Sequence, residues 1–378
     1  MFNSSISFIA RKLFFISGSV PSFALNQDRS LNGSPSVSIT FPDGYTDTMV
    51  LSRYYSNEND RLARTENCHF FGHLEGEPDA CIALTGCPGS DDLEFTIMSE
   101  HLSDTMFKWN KNGNVQVIKS KARSTFLERK DQEDQNGSWL SVDGDEIVNP
   151  AIQKAEMEIA KNCASGNCKS VPKTMLLSLR FGYDEGFLNK TGSHAKAKTY
   201  VKTAMTHAQA IFCHSSLGTK IQLELVGEIK HYAGKYLQAT EAKENEMVEI
   251  TKKDLGKADL MVYWGYDPKS EPNGGGGIAY LGTVCMPSSY NGQKSSINEW
   301  QRVYTEAGQL IAHEIGHNMG MYHDFSTKHK GKGCDKKGVM SYTGTLNKWS
   351  TCSKSDFQAH IASVAKSGQT WCMPGKFS

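Results

Sequence analysis

Short apolar runs separated by turn residues follow one another through the N-terminal third of the chain. They recur between residues 37 and 51 and between residues 68 and 97, where glycine, proline and aspartate interrupt them. Examples are 82–84, 95–97 and 115–118. Brief apolar segments with frequent turn signals are typical of β-strands. We therefore predict a β-rich domain over residues 25–130.

The second half of the chain alternates between strand-like and helix-like patterns. Apolar runs that indicate strands occupy 175–181, 220–229, 259–264 and 278–285, the last after the glycine run 274–277. Longer patterns that indicate helices occupy 194–213 and 299–320. Strands that alternate with helices predict an α/β fold, a sheet sandwiched by helices, over residues 171–378.

A connector, which we place at 131–170, separates these two domains. Charged residues are dense at 119–133, and glycine and proline interrupt the segment that follows. We predict one helix in it, at 151–161. Arg129 and Lys130 form a basic pair at which processing could occur, but such pairs are common and the connector has no Arg-x-x-Arg site.

Ten cysteines among 378 residues favour an oxidising compartment, and the Asn-x-Ser/Thr triplets at Asn32, Asn136 and Asn189 agree with secretion. Residues 1–24 resemble a weak signal peptide, with an ordinary propeptide start or a wrongly assigned first exon as the alternatives. The formal net charge is zero, no basic stripe predicts nucleic acid as a partner, and no apolar run is long enough for a membrane span. We expect a secreted, extracellular monomer.

The most informative segment is His-Glu-Ile-Gly-His-Asn-Met-Gly-Met-Tyr-His-Asp, at 313–324. Residues four apart share one face of a helix, so His313 and His317 can offer imidazole nitrogens to one ion. Gly320 permits a left-handed turn that ends the helix, after which His323 can return to the same ion. Three imidazoles leave the fourth position of a catalytic Zn2+ to water, whose pKa the ion lowers toward about 7.

Glu314 follows the first histidine directly, so it lies beside the ion and suits a general base that acts on the metal-activated water. A lone HExxH pattern also arises by chance on helices. The extended HExxHxxGxxH pattern is far more specific, because three histidines, a glutamate and a glycine would otherwise each need a separate structural reason.

With Asp324 directly after the third histidine, the segment resembles the metzincins, and among them the adamalysin (reprolysin) family of snake-venom metalloproteinases and ADAM proteases. The resemblance covers about 171–378. It implies a twisted mixed sheet, a long active-site helix and a smaller C-terminal subdomain. It also implies that Met340, in Gly-Val-Met-Ser-Tyr, is the Met-turn residue beneath the zinc.

The same resemblance implies further features. The edge strand that would pair with an extended substrate comprises Gly277, Ile278, Ala279 and Tyr280, with an ordinary edge strand as the alternative. Two disulfides are implied, Cys285–Cys372 and Cys334–Cys352, which leave Cys213 either free and buried or joined to the connector. The first domain is similar to a reprolysin propeptide at Cys-His-Phe-Phe-Gly (68–72) and Cys-Pro-Gly (87–89).

Two features depart from the family. The sequence lacks the propeptide Met-Cys-Gly-like motif that often blocks the zinc; Cys163 or Cys168 could ligate zinc instead, or the two could form a local disulfide. Ser178 stands where relatives carry an acidic calcium ligand, which argues against a complete structural Ca2+ site although Asp259 remains.

These observations predict a zinc metalloendopeptidase that is made as a proenzyme and hydrolyses protein or peptide substrates. The alternatives are a catalytically inactive binding protein that retains the fold, and a peptidase with a distant glutamate as third ligand. The sequence does not define the cleavage specificity, which we expect to depend on residues 338–346 and the edge strand.

Overall fold

The computed structural model describes the strands of the N-terminal region, the pair 146–147, and most of residues 171–366. Its gaps in the last range are 240–242, 267, 269–275, 330, 335–337 and 342–347. The chain divides into two compact units, Met1–Ser120 and Lys121–Ser378. The helix predicted at 151–161 and the proposed signal peptide, apart from 22–24, lie outside the described residues.

The first unit contains an eight-stranded antiparallel sheet in which each strand pairs with the next along the chain. The strands are β1 (Ser22–Ala24), β2 (Ser36–Thr40), β3 (Thr46–Arg53), β4 (His69–Leu74), β5 (Glu77–Thr85), β6 (Asp92–Met98), β7 (Thr105–Asn110) and β8 (Val115–Ile118). The β-rich character predicted for this region is therefore present in the described strands.

At the centre of this sheet, the burial of β3 follows the alternation of its side chains, and one glycine lets β4 approach β3 closely. Met49 and Leu51 are buried on β3, whereas Val50 between them is exposed, as expected for a strand with one apolar face. On the neighbouring strand, Gly72 pairs with Leu51, and the pairing of β4 with β5 shifts register between Gly72 and Leu74. A Cβ atom at Gly72 would lie 1.9 Å from the carbonyl oxygen of Val50 on β3, so only glycine fits at this position.

The second unit is a mixed α/β domain with a seven-stranded sheet, which confirms the predicted α/β class. Its strands are β9 (Glu146–Ile147), β10 (Thr174–Asp184), β11 (Lys220–Leu225), β12 (Lys230–Tyr232), β13 (Leu260–Gly265), β14 (Gly277–Tyr280) and β15 (Ser295–Glu299). The order is β11-β10-β13-β15-β14-β9, and β12 also pairs with β10. Of the described strand pairs in this sheet, only β14–β15 is antiparallel.

Among the residues that the structure describes, five α-helices accompany this sheet: α1 (Glu185–Thr191), α2 (His194–Cys213), α3 (Glu244–Asp254), α4 (Tyr304–Asn318) and α5 (Thr351–Lys366). Strand β13 is buried along its whole length, as expected for a central parallel strand covered on both faces. Helices α2 and α4 approach closely at Gly308, where a Cβ atom would lie 2.5 Å from Cβ of His207. None of the described helices has both the length and the apolar character that a membrane span requires.

Several predicted bounds were wrong. The strand predicted to 229 ends at Leu225, and the one predicted to 285 ends at Tyr280. The helix predicted over 299–320 is α4, which begins at Tyr304 because Glu299 still belongs to β15 and ends at Asn318. Helix α2 has the predicted bounds, whereas α3 and α5 were not predicted.

Candidate metal centre

Helix α4 brings two of the three predicted imidazoles together. His313 and His317 are buried, and their Nε2 atoms lie 3.2 Å apart. Nδ1 of His313 lies 2.7 Å from the carbonyl oxygen of Val339, and Nδ1 of His317 lies 2.9 Å from that of Met321. A ring nitrogen that donates its hydrogen to a carbonyl leaves the other nitrogen as the metal ligand. Nε2 of His313 and Nε2 of His317 are thus the nitrogens that could bind a metal ion.

The turn after α4 returns the third imidazole to the same place. Gly320 has φ +83°, a left-handed conformation that a side chain disfavours. The N–H groups of Gly320 and Met321 donate to the carbonyls of His317 (2.8 Å) and Gly316 (3.0 Å), the pattern of a Schellman cap. Nε2 of buried His323 then lies 3.2 Å from Nε2 of His313.

The three nitrogens fit a tetrahedral zinc ion. Zinc–nitrogen bonds of about 2.0–2.1 Å at tetrahedral angles separate two ligand atoms by roughly 3.3–3.4 Å. The observed separations from Nε2 of His313 to Nε2 of His317 and of His323 are both 3.2 Å. Three neutral nitrogen donors that converge in a buried position are the donor set of a catalytic zinc with one position left open.

Glu314 lies beside this triad and against the predicted substrate edge. It is fully buried on α4, one residue after His313. A Cβ atom at Gly277, the first residue of β14, would lie 2.2 Å from Oε1 of Glu314. The absence of a side chain at Gly277 therefore lets the backbone of β14 approach the carboxylate. The geometry places a carboxylate where strand β14 begins.

Strand β14 also carries a second partner. It pairs with β15 on one side and, in parallel, with β9 on the other. Ala279 is opposite Glu146 and Tyr280 is opposite Ile147. Residues 277–280, which the sequence predicted as a substrate edge, are thus covered in part by a strand from the predicted connector.

Met340 packs beneath the helix between the two helical ligands. It is fully buried, and a Cβ atom at Gly316 would lie 2.5 Å from its sulfur. Its carbonyl oxygen accepts a hydrogen bond of 2.9 Å from the N–H of Asp324. Because the preceding Val339 carbonyl faces His313, this turn contacts both the helical and the loop side of the centre.

Asp324 ties the loop after His323 to the start of α5. Its carboxylate accepts hydrogen bonds from the hydroxyls of Ser350 and of Ser353, the latter at 3.0 Å. Burial raises the pKa of the Asp324 carboxyl above its ordinary value, and the two hydroxyl donors offset part of this rise. The sequence indicated Asp324 but gave no sign of its serine partners.

The cysteines are consistent with an oxidising environment. Cys334 and Cys352 form a disulfide with a Cα–Cα distance of 5.6 Å. Cys285 is also in a disulfide, but Cys372, its implied partner, lies outside the described residues. Cys213 is in a disulfide as well, so the expectation that it could be a free, buried thiol was wrong. Cys163 and Cys168 lie outside the described residues.

Ser178 and Asp259 contact each other directly. The N–H and hydroxyl of Ser178 donate to Oδ2 of Asp259 at 2.8 and 2.7 Å, and the N–H of Asp259 donates to Oγ of Ser178 at 3.0 Å. Burial raises the pKa of the Asp259 carboxyl, and the serine donors counteract this. At least one carboxylate oxygen is therefore satisfied by protein donors at the position where a calcium ligand was considered.

Comparisons with known proteins agree with this geometry. Residues 173–360 match the model of a reprolysin type of metallopeptidase family M12. The chain is 30% identical over 142 residues to Disintegrin and metalloproteinase domain-containing protein 9 of Homo sapiens, covering 36% of this chain and 15% of that protein. It is 34% identical over 89 residues to a Zinc metalloproteinase/disintegrin of Bitis gabonica, covering 22% of this chain and 25% of that protein.

A third relative matches a longer part of the chain. The chain is 23% identical over 364 residues to A disintegrin and metalloproteinase with thrombospondin motifs 6 of Homo sapiens, covering 82% of this chain and 30% of that protein. The chain thus spans less than a third of the length of each of these three relatives. The match over residues 173–360 contains α4, the Schellman turn and all three imidazoles, and through this domain the chain belongs to the adamalysin/reprolysin family of M12 metallopeptidases.

Proposed function

We propose that this protein is a secreted zinc metalloendopeptidase, made as a proenzyme, with His313, His317 and His323 as zinc ligands and Glu314 as general base. The observation that carries the proposal is the convergence of three buried imidazoles beside a buried carboxylate. Nε2 of His313 lies 3.2 Å from Nε2 of His317 and 3.2 Å from Nε2 of His323. Protein or peptide substrates follow from membership in a peptidase family.

Each residue has a distinct task in the proposed reaction. Zinc held by the imidazoles would supply Lewis acidity toward a carbonyl oxygen and lower the pKa of water to about 7. Glu314 takes the proton of the attacking water and passes it to the leaving amine. Strand β14 offers its main chain to an extended peptide, which brings the scissile bond next to Glu314.

The substitution Glu314→Gln tests the role of the base. Glutamine keeps the size and shape of the side chain but does not accept the proton, so we expect wild-type zinc content and a loss of hydrolysis of at least about 100-fold. Zinc content is measured by mass spectrometry and hydrolysis with a quenched peptide, with and without a chelator. Comparable hydrolysis by the variant would remove Glu314 from the mechanism. A wild-type chain that binds zinc without hydrolysing peptides would favour the inactive binding protein instead.

The proenzyme part of the proposal is supported by the pairing of β9 with β14. Residues 146–147 use the open side of β14, whose main-chain groups a substrate strand would need. Because one edge cannot pair with two strands at once, the connector is proposed to compete with substrate until it is cleaved or displaced. Disulfides at Cys213, Cys285 and Cys334 support an oxidising, extracellular location.

Proline substitution in β9 tests this competition in the full chain. Ile147→Pro removes a main-chain donor and disfavours strand pairing. Loss of about 1 kcal/mol of pairing should raise kcat/KM for a quenched peptide roughly fivefold. The control is Ser141→Pro, in the same connector but outside β9. An unchanged kcat/KM for Ile147→Pro, or an equal rise in Ser141→Pro, would contradict inhibition by β9.

A further inference from the structure

The loop that carries His323 is held to helix α5 by a buried pair of side chains, His329 and Asp356. Nε2 of His329 lies 2.9 Å from Oδ2 of Asp356, and both residues are buried. Neither residue belongs to the HExxHxxGxxH segment.

The pair contacts the main chain on both sides of the third ligand. Nδ1 of His329 lies 2.9 Å from the carbonyl oxygen of His323. Oδ2 of Asp356 accepts a hydrogen bond of 3.1 Å from the N–H of Tyr322. The carbonyl of His323 and the N–H of the preceding residue, Tyr322, are thus both held by one connected pair.

Each ring nitrogen of His329 faces an oxygen that can accept a hydrogen bond, the carbonyl oxygen of His323 on one side and the carboxylate of Asp356 on the other. The amine of Lys328 lies 3.5 Å from Oδ1 of Asp356 and 3.5 Å from the centre of the Tyr322 ring. The carboxylate is therefore surrounded by donors from the loop that follows His323.

The pair acts on residues 322 and 323 themselves, whereas the contacts of Asp324 with Ser353 and with the carbonyl of Met340 act one residue after the ligand. Residues 319–326 contain no helix or strand, and a turn bond from the N–H of Ser326 to the carbonyl of His323 (2.9 Å) is local. Both ring-nitrogen contacts of His329 reach beyond that turn. The Cys334–Cys352 sulfurs lie within 4.8 Å of a His329 ring nitrogen, so the ring is also confined from that side.

We propose that His329 and Asp356 are positioning residues that clamp the main chain at 322–323, so that the imidazole of His323 stays aligned with those of His313 and His317. This inference rests on the proposed role of His323 as a zinc ligand. Neither residue of the clamp is among the three residues that would hold the ion. Their effect is to reduce the freedom of the one ligand that no helix holds, and so to raise the affinity of the centre for zinc.

The experiment measures zinc affinity in full chains by competition with a chelator, beside the thermal unfolding of zinc-free and zinc-loaded protein. His329→Ala should weaken zinc binding about 10- to 100-fold, as expected for a group that orients a ligand. The rise in Tm on zinc addition should shrink accordingly, because that rise depends on the dissociation constant. His329→Asn, whose amide can still donate to the carbonyl of His323, should recover part of the affinity.

His360→Ala is the matched control. His360 is also buried and lies on α5, but its Nε2 contacts the carbonyl of Val284 (2.9 Å), outside the clamp. We expect its loss to lower the Tm of the zinc-free protein while the zinc affinity changes less than about threefold.

Three results would overturn the clamp. Wild-type zinc affinity in His329→Ala would do so, and so would equal losses of affinity in His329→Ala and His360→Ala. If His329→Ala does not fold, Asp356→Asn takes its place with the same expected loss, and wild-type affinity in that variant would contradict the proposal. A wild-type chain that binds no zinc would overturn the proposed function as well, which separates the two failures.

Discussion

The two halves of the proposed metal centre reach the same geometry by different means. His313, Glu314 and His317 lie on α4, a helix whose hydrogen bonds and buried surroundings fix them together. His323 lies on a loop without regular structure, where one glycine turn and contacts to α5 determine its place. The helical half depends on local order, whereas the loop half depends on residues about 30 positions away.

This difference determines which substitutions should lower the zinc affinity of the centre. A ligand on a buried helix moves only if the helix moves, so its neighbours can change with little effect on its direction. A ligand on a loop needs each of its anchors. Substitutions in the loop and in α5 should therefore reduce zinc affinity more readily than substitutions on the outer face of α4.

The largest effect should come from removal of a ligand from either half. His317→Ala and His323→Ala each leave two imidazoles, and we expect zinc affinity to fall more than about 100-fold in both, beyond the loss typical of a supporting residue. Competition with a chelator measures the affinity. Retention of wild-type affinity by His323→Ala alone would mean that the loop half takes no part in the centre.

A smaller effect is expected from the turn that joins the halves. Gly320→Ala places a side chain at φ +83° and should cost roughly 1–2 kcal/mol of unfolding free energy. Gly331→Ala is the control, since Gly331 has the same φ and no atom lies within 4 Å of its missing Cβ. Urea unfolding should show similar losses in both variants. Only Gly320→Ala should also weaken zinc binding; equal zinc affinities in the two would contradict the role of this turn.

The smallest effect should come from the residue beneath the helix. Met340→Leu conserves volume in a buried site, so we expect a loss of less than about 1.5 kcal/mol of unfolding free energy and a zinc affinity close to wild type. The sulfur itself has no assigned task in the centre. A loss of zinc binding comparable to that of His323→Ala would show that Met340 does more than fill space.

The same contrast explains what the sequence could predict. The placement of His313 and His317 on one helix face follows from helix geometry, and the turn before His323 follows from the backbone freedom of glycine. Both can therefore be predicted from one sequence. The bounds of α2 were predicted for the same reason, since its apolar pattern is local.

Features that depend on contacts between residues far apart in the sequence could not be predicted. Asp356 meets Tyr322 34 residues away, and Ser353 meets Asp324 29 residues away, with no spacing rule to indicate either pair. Strand β9 is two residues long and is defined as a strand by its pairing with β14. Helix α3 was missed because its sequence, Glu244–Asp254, is mostly polar with few buried positions.

The most direct test of the account is the zinc coordination of the full-length Glu314→Gln chain, measured by X-ray absorption together with zinc content. We expect one zinc per chain with three imidazole nitrogens at about 2.0–2.1 Å. A chain without stoichiometric zinc, or an ion with fewer than three imidazole ligands, would contradict it.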